Sequence, residues 1–361
     1  MAATKWILRP WERDLFTGCR RAWDLGARER QNWEPAAPSR PFSPGDALRD
    51  AMAVYYFPGM WSWSRAIVRP LATAGFVKAM VRQRDAYETA HGLSPEQERD
   101  YETTLAAGQA LLEDYYDWAP EQDGQLTPLS VEALFDVPVI DPRQPDLGLL
   151  TPAGQGVDYR VRVDLAMVDN AGRNWVMDHR LVVGPWREVD LLLLDEQLLN
   201  RTWAWEHHFL AHARGTIHNE LRLEGPFEAD PDPSTRKRIR QVATPRFRRS
   251  TIRRGRPEID SVGERLAAQV MQMSQPDVVC YPNPSARRCP PCDYRAPCLA
   301  LQQGQDPGDV LALDYRKRTT PDFEPGRLGS VWGFVPHRID ERVRLNPPPP
   351  PPPAGAQPPA S

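Results

Sequence analysis

The chain has 361 residues, 41% hydrophobic and 26% charged, with a formal net charge of -3 and five cysteines. At roughly 150 residues per domain this suits one large domain or two ordinary ones, and the composition excludes a wholly disordered chain. The charge balance excludes a globally basic polyanion binder, and five cysteines are too few for a disulfide scaffold, leaving metal ligands or buried thiols in a reducing compartment.

No segment offers the about 18 uninterrupted apolar residues of a membrane span, and residues 1–14 mix charges with tryptophans; the expectation is a cytoplasmic protein with no membrane partner. Residues 11–25 form a compact amphipathic segment that carries Cys19 within Thr17-Gly18-Cys19-Arg20-Arg21-Ala22-Trp23, followed by a proline-rich linker over 34–44. From 45 to about 119 apolar residues recur at three and four spacing, through Ala47, Leu48, Met52 and Tyr55 and again through Leu105, Leu111, Leu112 and Tyr115. That periodicity predicts a helical lobe.

At Leu129 the chain turns β-prone through Val131, Leu134, Phe135, Val137 and Val139, and two further strands are predicted over 157–168 and 175–183. Asp169-Asn170-Ala171-Gly172 between them is a polar, glycine-bearing turn of the kind that closes a hairpin. Three strands of one mixed sheet are expected, then a helix over 189–213, a strand over 216–223, a basic region and a helix over 259–273, in the order αβββαβα. The basic region holds ten basic residues and no acidic one between positions 236 and 256, just after Glu224, Glu228, Asp230 and Asp232. It reads either as a solvated loop or as a phosphate-binding stretch in which Arg246, Arg248, Arg249, Arg253 and Arg254 would contact DNA. Seven prolines at 347–353 predict a polyproline II tail. The organisation expected is a segment and linker at 1–44, a helical lobe at 45–125, a core with a cysteine cluster at 126–300, an extension at 301–345 and the tail at 346–361.

The cysteines are the sharpest local signal. Cys289-Pro290-Pro291-Cys292 followed by Cys298 gives C-x2-C-x5-C, with Cys280 nine residues upstream of the first. Thiolates this close can converge on zinc or an iron-sulphur centre. The fourth ligand is either Cys280, which makes a local structural zinc site, or Cys19, which ties the two chain ends together. Across the predicted hairpin, Asp164 and Asp178 place two hard carboxylates where they can hold Mg2+ or Mn2+. His208 and His212 share a helix face at i, i+4, but Phe209 stands where a zinc protease needs its glutamate, so a plain helix surface is expected. Trp61, Trp63, Trp203 and Trp205 read as core residues.

These stretches, in this order, resemble the PD-(D/E)XK nuclease superfamily, specifically the RecB/AddB-like exonucleases that carry a 4Fe-4S cluster. The resemblance spans most of residues 10–300. It rests on Cys19-Arg20-Arg21-Ala22-Trp23, on Glu132 in Val131-Glu132-Ala133-Leu134-Phe135, on Asp164 in Arg162-Val163-Asp164-Leu165, on Asp178-His179-Arg180 in the place of D-x-K, on Gln197 in Asp195-Glu196-Gln197-Leu198, and on the trailing cysteines. It implies an α/β fold with a restriction-endonuclease-like core, a central mixed sheet flanked by helices, a helical lobe and a cysteine clasp. It further implies a 4Fe-4S cluster on Cys19, Cys289, Cys292 and Cys298, Mg2+ or Mn2+ on Asp164 and Asp178, DNA as substrate, and a helicase or other repair or recombination protein as partner. Glu132, Asp164, Asp178, Arg180 and Gln197 are then the catalytic candidates.

Four motif positions depart from the family: Arg180 replaces its lysine, Arg49 its helix histidine, Val161 its glycine and Arg201 its tyrosine. Arginine stays protonated, so Arg180 can stabilise negative charge but not act as a base, and Arg49 cannot ligate a metal. The expectation is that Arg49 and Arg180 neutralise Asp164 and Asp178 in the place of a divalent ion. The only lysines are Lys5, Lys78, Lys237 and Lys317, none at a motif position; Lys78 would have to migrate in from the helical lobe.

Overall fold

The computed structural model describes residues 5–38, 40–184, 186, 188–223 and 246–319. The acidic stretch from Glu224 to Asp232, the basic residues at 236–240 including Lys237, and the proline run 347–353 lie outside the described residues.

A central mixed sheet organises the chain. Its long strands are β3 (Leu126–Pro138), β6 (Val157–Asp169), β7 (Asn174–Val182), β8 (Ala213–Arg222) and β9 (Phe247–Arg253), joined by the short β1 (Trp6–Leu8). β4 (Ile140–Asp141) and β5 (Gln144–Gly148) form a separate small hairpin. β6 pairs with β3 along one edge; along the other it pairs with β1 at one end and with β7 at the opposite end. β7 and β8 run parallel, and β9 returns antiparallel to β8. The turn between β6 and β7 closes as its residues suggest. Gly172 takes a φ of 72°, which favours glycine, and the Asp169 carboxylate accepts the Ala171 and Arg173 N–H groups at 2.9 Å each.

Helices cover both faces. α3 (Pro44–Tyr55), α4 (Arg65–His91) and α5 (Pro95–Asp123) form the lobe, packing Leu48, Met52, Phe76 and Leu112 toward Leu165, Met177 and Ile217. α5 starts at a reciprocal cap in which Ser94 and Gln97 satisfy each other's backbone N–H groups at 3.2 and 2.9 Å. On the opposite face α7 (Glu196–Phe209) and α8 (Arg256–Met273) bring Leu198, Trp203, Val262 and Leu266 against Val161, Val163 and Val176. Trp203 and Trp205 are core residues, whereas Trp63 is exposed.

Several elements differ from the sequence expectation. The helix expected over 189–213 is two helices, α6 (Val189–Leu193) and α7, because the Asp195 carboxylate caps the Leu198 N–H at 3.1 Å and so begins a new helix. The arginine-rich stretch includes an unexpected strand, β9. The N-terminal strand β1 was hidden by its brevity. The amphipathic segment resolves into α1 (Pro10–Gly18) and α2 (Arg20–Gly26), with Cys19 at the bend between them.

The two ends of the described chain are stitched together. β2 (Trp33–Pro35) pairs antiparallel with β10 (Tyr315–Lys317), which follows α9 (Arg295–Gln302) and α10 (Gly308–Asp314). Tyr294 donates to the Trp33 carbonyl at 2.9 Å and lies so close to Gly26 that a Cβ there would collide with its ring.

Candidate functional site

Strand register builds a row of polar side chains across the sheet. Leu165 opposite Met177 is the last rung of the β6–β7 ladder, so Asp164 and Asp178 face each other where the strands part. On the other side of β6, the register steps from Val131–Leu165 to Ala133–Val163, setting Glu132 opposite Asp164. Glu132 adopts a φ of 46° in mid-strand, the left-handed region that a glutamate occupies only under constraint. On β8, His218 pairs with Asp178. Four neighbouring strands thus carry Glu132, Asp164, Asp178 and His218 side by side, all buried or nearly so.

Arginines fill this row. Arg201 on α7 binds the Asp178 carboxylate and sits 3.7 Å from Asp164 Oδ1. Arg180 binds the other oxygen of Asp178 and reaches Asp195 at 2.6 Å. Arg49 on α3 approaches Asp164 Oδ2 at 3.7 Å while holding Asp46. Arg162 lies 3.3 Å from Glu132. Four carboxylates, Glu132, Asp164, Asp178 and Asp195, therefore face four guanidiniums. The Asp164 carboxylate also accepts the His179 backbone N–H at 3.2 Å.

The electrostatics follow from burial against pairing. Burial pushes the Asp178 carboxyl up, but Arg201 and Arg180 outweigh it and hold the group well below the usual carboxylate range. Asp164 goes the other way. Burial raises it, Arg201 opposes only in part, and the nearby Asp178 raises it further. Glu132 is pushed up to about 7, chiefly by burial, with Arg162 offsetting part of the shift and Asp164 adding to it. Burial holds His218 down at about 4, against the pull of Asp195; among the described residues neither of its ring nitrogens has a hydrogen-bond partner. Burial raises Glu132 and depresses His218 for the same reason, because each sheds its charged form in the dry interior.

This donor set does not suit Mg2+ or Mn2+. Such ions need carboxylate lone pairs that are free to coordinate, and here the Asp178 lone pairs are engaged by Arg180 and Arg201, and Asp164 is flanked by Arg201 and Arg49. Among the described residues no three His, Cys, Asp or Glu side chains come together as an ion-binding group. Nor is a lysine at hand among the described residues: Lys5 pairs with Asp158 at 2.5 Å, Lys78 is exposed on α4, and Lys317 stacks on Trp33. Gln197 turns away from the carboxylates and donates to Asp14 at 2.5 Å. His207 bonds the Trp203 carbonyl at 2.9 Å and His208 stacks on Phe135, so the histidines of α7 serve its packing.

The arginines of the basic region are largely committed inside the protein. Arg246 binds Asp114, Arg248 binds Glu220 at 2.6 Å, and Arg254 reaches Glu258 at 2.5 Å. Arg249 is 5% exposed and anchors a buried network behind the sheet, binding Asp123 and donating to Tyr56 and Tyr115 at 3.0 Å each. Asn219 links that network to His179 at 2.9 Å. Burial, with Arg249 nearby, holds His179 down at about 3. Of the five candidate DNA contacts only Arg253 is exposed.

At the chain ends the cysteine loop lies against the α1–α2 bend. The Asn283 backbone N–H donates to Cys19 Sγ at 3.4 Å and its side chain to the Gly18 carbonyl at 2.9 Å. Arg288 binds that same carbonyl, and the Ser285 N–H donates to Cys289 Sγ at 3.3 Å. Arg21 reaches Cys298 Sγ at 4.0 Å. Burial pushes the Cys292 thiol up, the Tyr294 N–H partly opposes it, and the adjacent Cys19 and Cys298 thiols add to the shift. Cys19 and Cys292 pack against the same small cluster of Ala22, Leu25 and Tyr294. Cys280 faces elsewhere, toward Arg30 at 4.0 Å, and packs against the core cluster of α7 and α8. The four thiols are half-buried and of the residue type an iron-sulphur cluster takes, but among the described residues no three of them converge into a metal-holding group.

Sequence reading singled out Arg49 and Arg180 and noted Arg201 only as a departure. It missed Asp195, Arg162 and His218. Asp195 carried a usable signal as a helix-capping residue ahead of Leu198 and Leu199, whereas His218 is tied to the row only by the β7–β8 pairing.

No protein-family model matches the chain, and no curated protein matches it. Among solved structures, one described as "Crystal structure of SSO0001" is similar to this chain at 17% identity, covering 60% of this chain and 77% of that one, with a TM-score of 0.26. A likeness at that level defines neither a shared fold nor a shared function.

Proposed function

We propose that this chain is a non-catalytic relative of the RecB-like PD-(D/E)XK nucleases, one that keeps the fold and a 4Fe-4S clasp and binds DNA without cutting it. The observation that carries this reading is the set of guanidiniums on Asp164 and Asp178, contributed by Arg49, Arg180 and Arg201. Each supplies the positive charge that a metal would bring, but none can bind and activate water. Hydrolysis of a phosphodiester needs that activation, so the same side chains that stabilise the carboxylates remove the chemistry. DNA is the ligand the resemblance implies, and Arg253, exposed on β9, is the one of the five candidate contacts open to meet it.

Cys19, Cys289, Cys292 and Cys298 would hold the cluster. When bound it supplies a tie between the chain ends and a one-electron centre; the protein supplies four thiolates and the N–H groups of Asn283 and Ser285 that steady them. Protein purified under nitrogen should be brown. Cys19→Ser should lose the colour while Cys280→Ser keeps it, and a colourless protein containing one zinc would refute the cluster. For the carboxylate row, calorimetric titration with Mn2+ should show no micromolar binding, and labelled linear DNA should survive incubation with Mn2+ while still being retarded on a gel. Degradation abolished by Asp178→Ala would overturn the non-catalytic reading and make the chain an active nuclease.

A further inference from the structure

We propose that the cleft between α1 and the α6–α7 corner is a docking site for a basic amphipathic segment of another protein. The corner carries Val189, Leu191, Leu193 and Leu194, all exposed, with Leu191 at 53% and Leu194 at 75%. A cluster of large aliphatic side chains this dense is rarely left to water unless something covers it.

The corner is held in shape. Leu192 is fully buried beneath it. The buried Arg254 guanidinium donates to the Leu193 and Leu192 carbonyls at 2.7 and 3.1 Å, and is itself held by Thr216 at 3.3 Å and Glu258 at 2.5 Å. An arginine just ahead of α8 thus grips the last carbonyls of α6 and holds the corner in place. A surface ordered in advance loses less entropy when it is covered.

Charge identifies the occupant. Leu191 and Leu194 line a cleft of about 270 Å³ that also takes in Arg13, Asp14, Asp195 and Glu196. Asp195 is engaged by Arg180, and Glu196 by Arg13. Asp14 is different. It accepts only the Gln197 amide, at 2.5 Å, and forms no ion pair among the described residues. Glu188 and Asp190, exposed on the same corner, are likewise without an ion pair among the described residues. An aliphatic rim beside carboxylates that outnumber the cleft's one guanidinium among the described residues selects leucine-like side chains on one face of a helix beside lysine or arginine. The inference does not rest on the nuclease reading: among the described residues the leucine corner and Asp14 make no contact with Asp164 or Asp178, and Asp195 alone is shared with the carboxylate row.

The test is fluorescence anisotropy on the full chain with a labelled amphipathic leucine–lysine peptide, and a leucine–glutamate peptide of the same length as control. The basic peptide should bind with an affinity that falls as salt rises, and the acidic one should not bind. Leu191→Ser with Leu194→Ser should weaken binding at least about tenfold, the loss expected when two partly buried leucines are removed. Asp14→Asn should weaken it and reduce its salt dependence. All three substitutions are at exposed positions, so an unchanged melting temperature is expected and separates lost binding from lost folding. Equal binding of both peptides, or binding indifferent to the leucine pair, would overturn the proposal. So would a wild-type dimer in sedimentation that the leucine substitutions dissociate, which would assign the corner to self-association.

Discussion

Replacing Arg201 with alanine removes the guanidinium shared by Asp164 and Asp178. Both carboxylates are 5% exposed or less, and Arg201 touches Asp178 directly and Asp164 at 3.7 Å. Removing one partner of a buried ion pair costs about 3–5 kcal/mol, because the remaining charge is left without compensation. Here Arg180 stays on Asp178 and Arg49 on Asp164, so the expected loss sits near 3 kcal/mol, the lower end of that range. The pH dependence carries a sign. Asp178 titrates below its ordinary value in the folded protein, so its pairing contributes stability above the unfolded carboxylate range near pH 4 that is lost as pH falls through the folded value. Arg201→Ala should shrink that contribution and begin acid unfolding at higher pH. It should also open a place for a cation. Mn2+ at about 100 times its dissociation constant would return about 2.7 kcal/mol to the variant, while the wild-type protein, with its carboxylates already matched, should gain nothing. Urea unfolding followed by tryptophan fluorescence at pH 7, with and without Mn2+, reads all of this. A loss under about 1 kcal/mol, the value of a solvent-exposed pair, would refute the reasoning, as would equal stabilisation of both proteins by Mn2+.

Two further outcomes are expected. Glu132 is raised to about 7 in the folded chain against about 4.3 unfolded, so it binds its proton more tightly when folded and stability declines as pH rises between those values; Glu132→Gln should flatten that decline in melting temperatures taken across the window, and an unchanged profile would show that the group titrates normally. Arg249→Leu should cost about 3–5 kcal/mol by stranding buried Asp123, whereas Tyr56→Phe should cost only about 1–2 kcal/mol for its lost hydrogen bonds; if Arg249→Leu instead left the unfolding midpoint in place and weakened DNA retardation, Arg249 would be a surface contact and not a structural one.

The layered plan was legible in the sequence because its signals are local. Helical periodicity over the lobe, the polar turn at Asp169 to Gly172 and the apolar runs of β6 and β7 depend on neighbours a few residues apart, and the structure repeats them with small shifts at the ends. The opposition of Asp164 and Asp178 was legible too, since a short hairpin fixes its own register. The close spacing of Cys289, Cys292 and Cys298 was equally plain.

What depended on distant segments meeting was decided only in three dimensions. The same arginine-rich run reads as a solvated block in one dimension, yet in the folded chain Arg249 is sealed behind the sheet by α3 and α5, and Arg254 is pinned under α6. Arg201 and Asp195 join the carboxylate row because α7 packs across the place where β6 and β7 part, and His218 because β8 pairs with β7. That the Cys19 bend lies against the C-terminal cysteine loop follows from contacts between distant segments, such as those of Asn283 with Cys19 and Gly18. A sequence specifies its periodicities outright, but the partner of a charge is whichever group the packing brings within reach. Arginine and aspartate, whose burial is tolerated only when a partner is brought within reach, are the residues for which that difference is largest.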